Sequence, residues 1–169
     1  MNLKPQDLVV ALKLAVHHQR AFVLVELASE LCMPLSSVHG SITRAEQARL
    51  VSRATGSVRA IRPAVLEFSV HGARYAYPGQ LGAMTRGTPT GVGGPALRRY
   101  FEASVETPVW PHPEGKTRGP GLQPLYAGAS AASIKDETLY EVLTLVDALR
   151  VGAARERSLA SEGLRERLA

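Results

Sequence analysis

One cysteine in 169 residues excludes an internal disulfide and any paired-cysteine metal knuckle. Long apolar runs are missing as well. No stretch approaches the ~20 residues a helix needs to cross a bilayer, and the opening MNLKPQDLVV lacks the basic-then-apolar order of an export signal, so a cytoplasmic location is expected. The five histidines, His17, His18, His39, His71 and His112, show no HxxxH or HExxH spacing, and adjacent histidines diverge on a helix. No nucleophile elbow is present, and Cys32 has no histidine partner in a known arrangement. The glycine-rich GTPTGVGGP lacks the Gly-Lys-Ser/Thr ending of a phosphate loop. No enzymatic activity, no metal and no cofactor are therefore expected.

What is present suffices for a core: 45% of the residues are apolar, in a chain long enough for one ordinary domain or two small ones. The net charge of +5 is unevenly spread. Residues 1–75 carry 9 Lys and Arg against 5 Asp and Glu, residues 76–131 carry 5 against 3, and residues 132–169 carry 6 against 7. The excess sits at the N-terminal side, as expected of a part that meets a polyanion.

The most informative stretch is LASELCMPLSSVHGSITRAEQARLVSR, from Leu27 to Arg53. Leu27, Ala28 and Leu31 mark one face of a short helix, and Leu35, Val38, Ile42 and Ala45 mark a second, with a break at Cys32 to Pro34. Two short amphipathic helices joined by so tight a turn cross steeply, which frees the outer face of the second. That face is read as Ser36, Ser37, His39, Gly40, Ser41, Thr43, Arg44 and Gln47, small and polar with no acid before Glu46. Beyond it, LVSRA and SVRAI alternate around Thr55-Gly56, predicting a hairpin that carries Arg53 and Arg59, with Arg62 just after.

These residues resemble the winged helix-turn-helix of MarR-type bacterial regulators. The matching positions are Leu27, Ala28, Leu31, Ser36, Ser37, Val38, Ile42, Arg44, Glu46, Leu50, Val51 and Arg53. The chain departs from that pattern at Cys32 and Arg49, where the family usually has Gly, at Pro34, and in carrying Gly40 inside the second helix. The resemblance spans roughly the first 75 residues. It implies a dimeric DNA-binding transcriptional regulator, more often a repressor, reading an inverted repeat in double-stranded DNA. Ser36, Ser37, His39, Ser41, Thr43, Arg44 and Gln47 would face bases or phosphates, and Arg53, Arg59 and Arg62 would grip the backbone.

The expected fold is mainly α with a small β wing. Residues 1–77 form the winged domain, with a first helix over residues 4–18 and a helix from Pro63 after the hairpin. Residues 78–131 form an irregular Gly/Pro-rich region, and residues 132–169 a C-terminal helical region for dimerisation or partner binding. Ten Gly and eight Pro between Pro78 and Gly128 leave room for one short helix near Pro95–Ala103 and a small β-rich or looped unit from Thr107 to Tyr126, turning at Glu114-Gly115. Arg86, Lys116 and Arg118 in this region are candidates for holding a phosphate or DNA backbone. One long helix is predicted from Ile134 to Gly152, with Leu139, Leu143, Val146 and Leu149 in its apolar stripe and Asp147 beside it, placed to pair with Arg150 or Arg155. That stripe, with Trp110 and Tyr126, is the expected contact surface for a second copy or a partner protein. Cys32 is expected to be a buried thiol. A second reading makes the chain an antitoxin or defence-system control protein that autoregulates through the winged domain and binds a partner through residues 78–169. A third is a ligand sensor with a pocket near Trp110 and Tyr126.

Overall fold

The computed structural model describes residues 2–103 and 105–169. Pro5–Val16 form α1. Pro5 sits where a missing N–H is harmless, and the Asp7 carboxylate accepts the Lys4 N–H at 2.7 Å, closing the first turn. Leu8, Val9, Val10, Ala11, Leu12, Leu14 and Ala15 are all 3% exposed or less. A helix apolar around most of its circumference must be enclosed, and α1 touches α3, α4, α7, α8 and β2, whose ranges follow.

Helix α2 spans Leu24–Leu31 and α3 spans Leu35–Gln47. Between them Cys32 adopts φ 52, ψ 46, a left-handed cap whose N–H donates back to Ala28 and Ser29. The thiol is exposed rather than buried, because that backbone turns the side chain off the shared core. Arg49, with φ 60, ends α3 in the same way. Each left-handed non-glycine residue costs roughly 1–2 kcal/mol. The hairpin falls where the alternation predicts it: β1 (Val51–Ser52) pairs antiparallel with β2 (Arg59–Ala60), Val51 opposite Ala60. The helix after the hairpin is α4 (Arg62–Glu67), a π-helical turn (Phe68–Gly72) and α5 (Ala73–Ala76).

The middle of the chain holds more regular structure than its composition predicts. Strands β3 (Met84–Pro89), β4 (Val109–Pro111) and β5 (Thr117–Pro120) form an antiparallel sheet in the order β4-β3-β5. Two glycines make the close approach possible. A Cβ on Gly87 would lie 1.9 Å from the Trp110 carbonyl oxygen, and one on Gly119 would lie 1.8 Å from that of Thr107. The short helix expected at Pro95–Ala103 contracts to a 3₁₀ turn, Arg98–Tyr100.

The C-terminal helices are α6 (Ala129–Lys135), α7 (Glu137–Val151) and α8 (Ala154–Leu168). One helix is predicted where α6 and α7 meet. The chain instead breaks at Asp136, whose carboxylate caps α7 by accepting the Leu139 N–H at 3.1 Å. The protein is thus mainly helical with a small β part, and among the described residues no helix is long and apolar enough to cross a membrane.

A single apolar core runs from Leu8 to Leu168, so the three expected segments share it. This corrects the contact surface drawn from the sequence. Leu139, Leu143, Val146 and Leu149 are at most 3% exposed and Trp110 is 1% exposed, because α7 is enclosed by α1, α5, α6 and α8. Tyr126 is half-buried and its hydroxyl donates to the Leu31 carbonyl. All six pack within the chain. Trp110 Nε1 donates to Asp147 at 2.7 Å, and the same oxygen accepts the Thr90 hydroxyl at 2.7 Å. Arg150 pairs with the other Asp147 oxygen at 2.7 Å. Removing one partner of such a pair strands the other charge. Asp147→Ala is expected to lose about 3–5 kcal/mol of stability in chemical denaturation, against a small change for Glu137→Ala on the exposed end of α7.

Candidate nucleic-acid interface

Helix α3 packs on α1, α2 and β1 through Val38, Ile42 and Ala45, all fully buried. Its opposite side presents Ser36, His39 and Gln47 exposed, with Ser37, Gly40 and Thr43 half-buried. Spacings of three and four place Ser36, His39, Gly40, Thr43 and Gln47 on one stripe, about 20 Å long for a helix of this length. Thr43 returns its hydroxyl to the His39 carbonyl at 3.1 Å. No described part of the chain covers the ends of this stripe.

Two residues assigned to that face point inward. Ser41 is fully buried and its hydroxyl accepts from Gln6 at 3.1 Å and from Arg44 at 3.4 Å. Arg44 folds back so that Nε and Nη2 reach the two Asp7 oxygens at 2.8 and 2.7 Å. Asp7 is fully buried, so Arg44 fastens α3 to α1 and is not free for an outside partner. Gly40 makes the fold-back possible: a Cβ there would stand 3.1 Å from Arg44 Nη1. Ser41 lies three after Val38 and four before Ala45, so the apolar period itself places it inside. The partner of Arg44 lies 37 residues away on α1, where no local pattern marks it. Beside this pair, burial first and the Asp7 charge second push the Tyr77 phenol up to about 12, and its hydroxyl has no partner among the described residues.

The hairpin arginines are partly engaged. Arg53 pairs with Glu46 at 2.8 Å and donates its N–H to the same side chain at 3.1 Å, neutralising the one acid at the edge of the α3 face. Arg59 donates to the His18 and Arg20 carbonyls at 2.8 and 3.1 Å, neutral partners that leave its charge uncompensated. Arg62 turns away to the end of α8, donating to the Arg167 and Ala169 carbonyls at 3.3 and 3.0 Å, and so does not join the other two.

The helix pair is held from behind by a charged cluster that the sequence reading overlooked. Lys13, 1% exposed, reaches Glu30 on α2 at 2.7 Å and Asp136 at the head of α7 at 2.6 Å. His17 reaches the same Asp136 oxygen at 2.7 Å, which places it in the cluster and not simply at the surface. Arg20 pairs with Glu30 at 2.5 Å and lies over the Phe22 ring, 4.1 Å from its centroid. The Arg20 hydrogen bond outweighs burial and, with Lys13, draws the Glu30 carboxyl down to about 2. Burial alone would raise Asp136, but the Lys13, Leu139 and His17 bonds prevail and hold it below its ordinary value.

Away from α3, Arg86 and Arg118 stand directly opposite each other on β3 and β5. The His112 N–H donates to the Arg86 carbonyl at 3.0 Å, extending the basic row across the sheet. None of these three makes an ion pair among the described residues. No group of three potential metal ligands occurs among those residues either. No family model, curated protein or solved structure matches the chain.

Two outcomes follow from this geometry. Arg44→Ala strands a buried carboxylate and is expected to cost about 3–5 kcal/mol in denaturant unfolding, registering as lost stability before any change in binding. Glu30 and Asp136 hold fewer protons folded than unfolded, so both supply stability that is lost in acid; for Glu30 it is complete above the ordinary value of 4.5 and drains as pH falls towards about 2, and Asp136 acts in the same direction. Melting temperatures between pH 6 and 3 should fall less steeply in Glu30→Gln than in the unaltered chain.

Proposed function

We propose that the protein is a double-stranded DNA-binding transcriptional regulator of the MarR-like, winged helix-turn-helix kind, acting in the bacterial cytoplasm as a binding protein and not an enzyme. The observation that carries this reading is the contrast between the two sides of α3. Every charged or apolar anchor on its inner side is engaged, by Asp7, Gln6 and the core, while the stripe from Ser36 to Gln47 is left polar and without a free acid. Such a face suits the edges of base pairs, and the first turn of α3 adds N–H groups with no side-chain cap, which favour phosphate. Cys32 and Arg49 strengthen the resemblance. They stand where the regulators usually carry Gly, and both adopt the left-handed backbone that Gly adopts freely.

The assignment of roles narrows accordingly. Ser36, Ser37, His39, Thr43 and Gln47 face the duplex, and Arg53 and Arg59 supply backbone contacts from the hairpin. Ser41 and Arg44 are positioning residues, and Arg62 serves the end of α8. With small side chains on the reading face, sequence choice depends on groove shape as well as on base contacts. A two-fold dimer requires a surface other than the six residues now placed in the interior. An apolar groove of about 580 Å³ between Ile61, Pro63, Leu66 and Leu168 is where we place it. The alternative of an antitoxin or defence-system control protein that binds a partner through residues 78–169 would have to use surface other than Trp110 and the α7 stripe, which are buried within the chain.

Fluorescence anisotropy of the full chain on duplex DNA from its own upstream region tests the proposal. Association should weaken steeply with added salt. His39→Glu with Gln47→Glu should weaken it roughly tenfold or more without lowering the melting temperature. Salt-insensitive or absent association, or a double variant that binds as the parent does, overturns it.

A further inference from the structure

Between the π-helical turn and α8 lies an open cleft of about 400 Å³, floored by Leu149 of α7. Its charged lining is all of one sign: Arg74 on one wall, beside His71, and Arg157 and Arg165 on the other, with no carboxylate among the lining residues. Arg74 and Arg165 make no ion pair among the described residues, although a protein surface with balanced charge offers partners readily. On α8 the sorting is explicit. Arg157, Ser161 and Arg165 recur every four residues and share the cleft face, while Glu162 and Glu166 line a different depression beside Arg99 and Glu156 accepts the Ala153 N–H at 3.0 Å. The helix carries nearly equal numbers of acids and bases and still presents a purely basic side.

The opposite wall is built by a π-turn, a local widening that recurs at functional sites. It is specified by sequence: the Ser69 hydroxyl donates to the Val65 carbonyl at 2.7 Å, and a Cβ on Gly72 would lie 2.7 Å from the Phe68 ring. At the rim Tyr75 is 76% exposed, with the Arg74 guanidinium over its ring at 5.4 Å. Arg157 is fixed by donating to the Gly152 carbonyl at 2.8 Å, a neutral partner that leaves its charge for the cleft. Gathering three guanidiniums around one concavity costs repulsion that a multiply charged anion relieves, and guanidinium forks match phosphate oxygens two at a time.

We propose that this cleft binds a small organic phosphate of at least two negative charges, of the nucleotide class, with Arg74, Arg157 and Arg165 on the phosphates and Tyr75 as the platform for the ring. The site is separate from α3 and does not depend on the DNA-binding reading.

Calorimetric titration of the full chain at low salt, with pyrophosphate and with ATP as probes, tests it. Both should bind saturably at one equivalent. Arg74→Gln with Arg165→Gln should weaken both by roughly tenfold or more, while Arg98→Gln with Arg99→Gln, exposed on the 3₁₀ turn outside the cleft, leaves them unchanged. Tyr75→Ala should weaken ATP and spare pyrophosphate. If the Arg74/Arg165 variant does not fold, Ser161→Glu, which puts a negative charge inside the cleft, should abolish binding of both. The proposal is overturned if neither probe binds saturably, if the Arg98/Arg99 variant loses as much as the cleft variant, if Tyr75→Ala leaves ATP affinity untouched, or if the cleft arginines affect only duplex DNA.

Discussion

A single buried ammonium joins the N-terminal helices to the C-terminal ones. Lys13 lies on the most enclosed helix, and its charge is met by one carboxylate from α2 and one from the residue that opens α7. A cation taken out of water needs close counter-charges and well-aligned bonds. The backbone of α2 and the start of α7 therefore have little freedom to shift relative to α1. His17, Arg20 and Phe22 fill out the arrangement, so the helix pair that offers its outer face is set against a fixed base.

The same division between anchored and open sides recurs through the molecule. Helix α3 spends Arg44 on Asp7 and keeps small polar groups outside. Helix α8 buries Ala160, Leu164 and Leu168 and sorts its charges so that one flank is wholly basic. The sheet uses Trp110 and Thr90 to hold Asp147 and leaves Arg86 and Arg118 at its far end. On α8 and on the sheet, the charges turned outward are ones with no ion-pair partner among the described residues.

Much of the helical framework was legible in the residues. Apolar spacing located α1, α2, α3 and α7, and the alternation around Gly56 located the hairpin, because local pattern dictates both. The sheet of the middle region was only half visible. The β-rich character of the stretch around Trp110 could be read, but not β3, where Gly87 leaves room for the neighbouring strand to approach. Inward-turning polar groups were the chief blind spot. Asp7, Lys13 and Arg44 look like ordinary surface charges until their partners, 37 and 123 residues away along the chain, are known. Helix α7 misled for a related reason: a stripe of leucine and valine reads as an interface, and nothing local says that the rest of the same molecule will cover it.

The unbroken core has a practical corollary. Excising the first half to graft it elsewhere as a portable reading head would uncover the flank of α1 that α7 and α8 now cover, and would deprive Lys13 of one of its two counter-ions. The helix pair is an outcrop of the whole molecule, and moving it into another protein would require that flank to be rebuilt first.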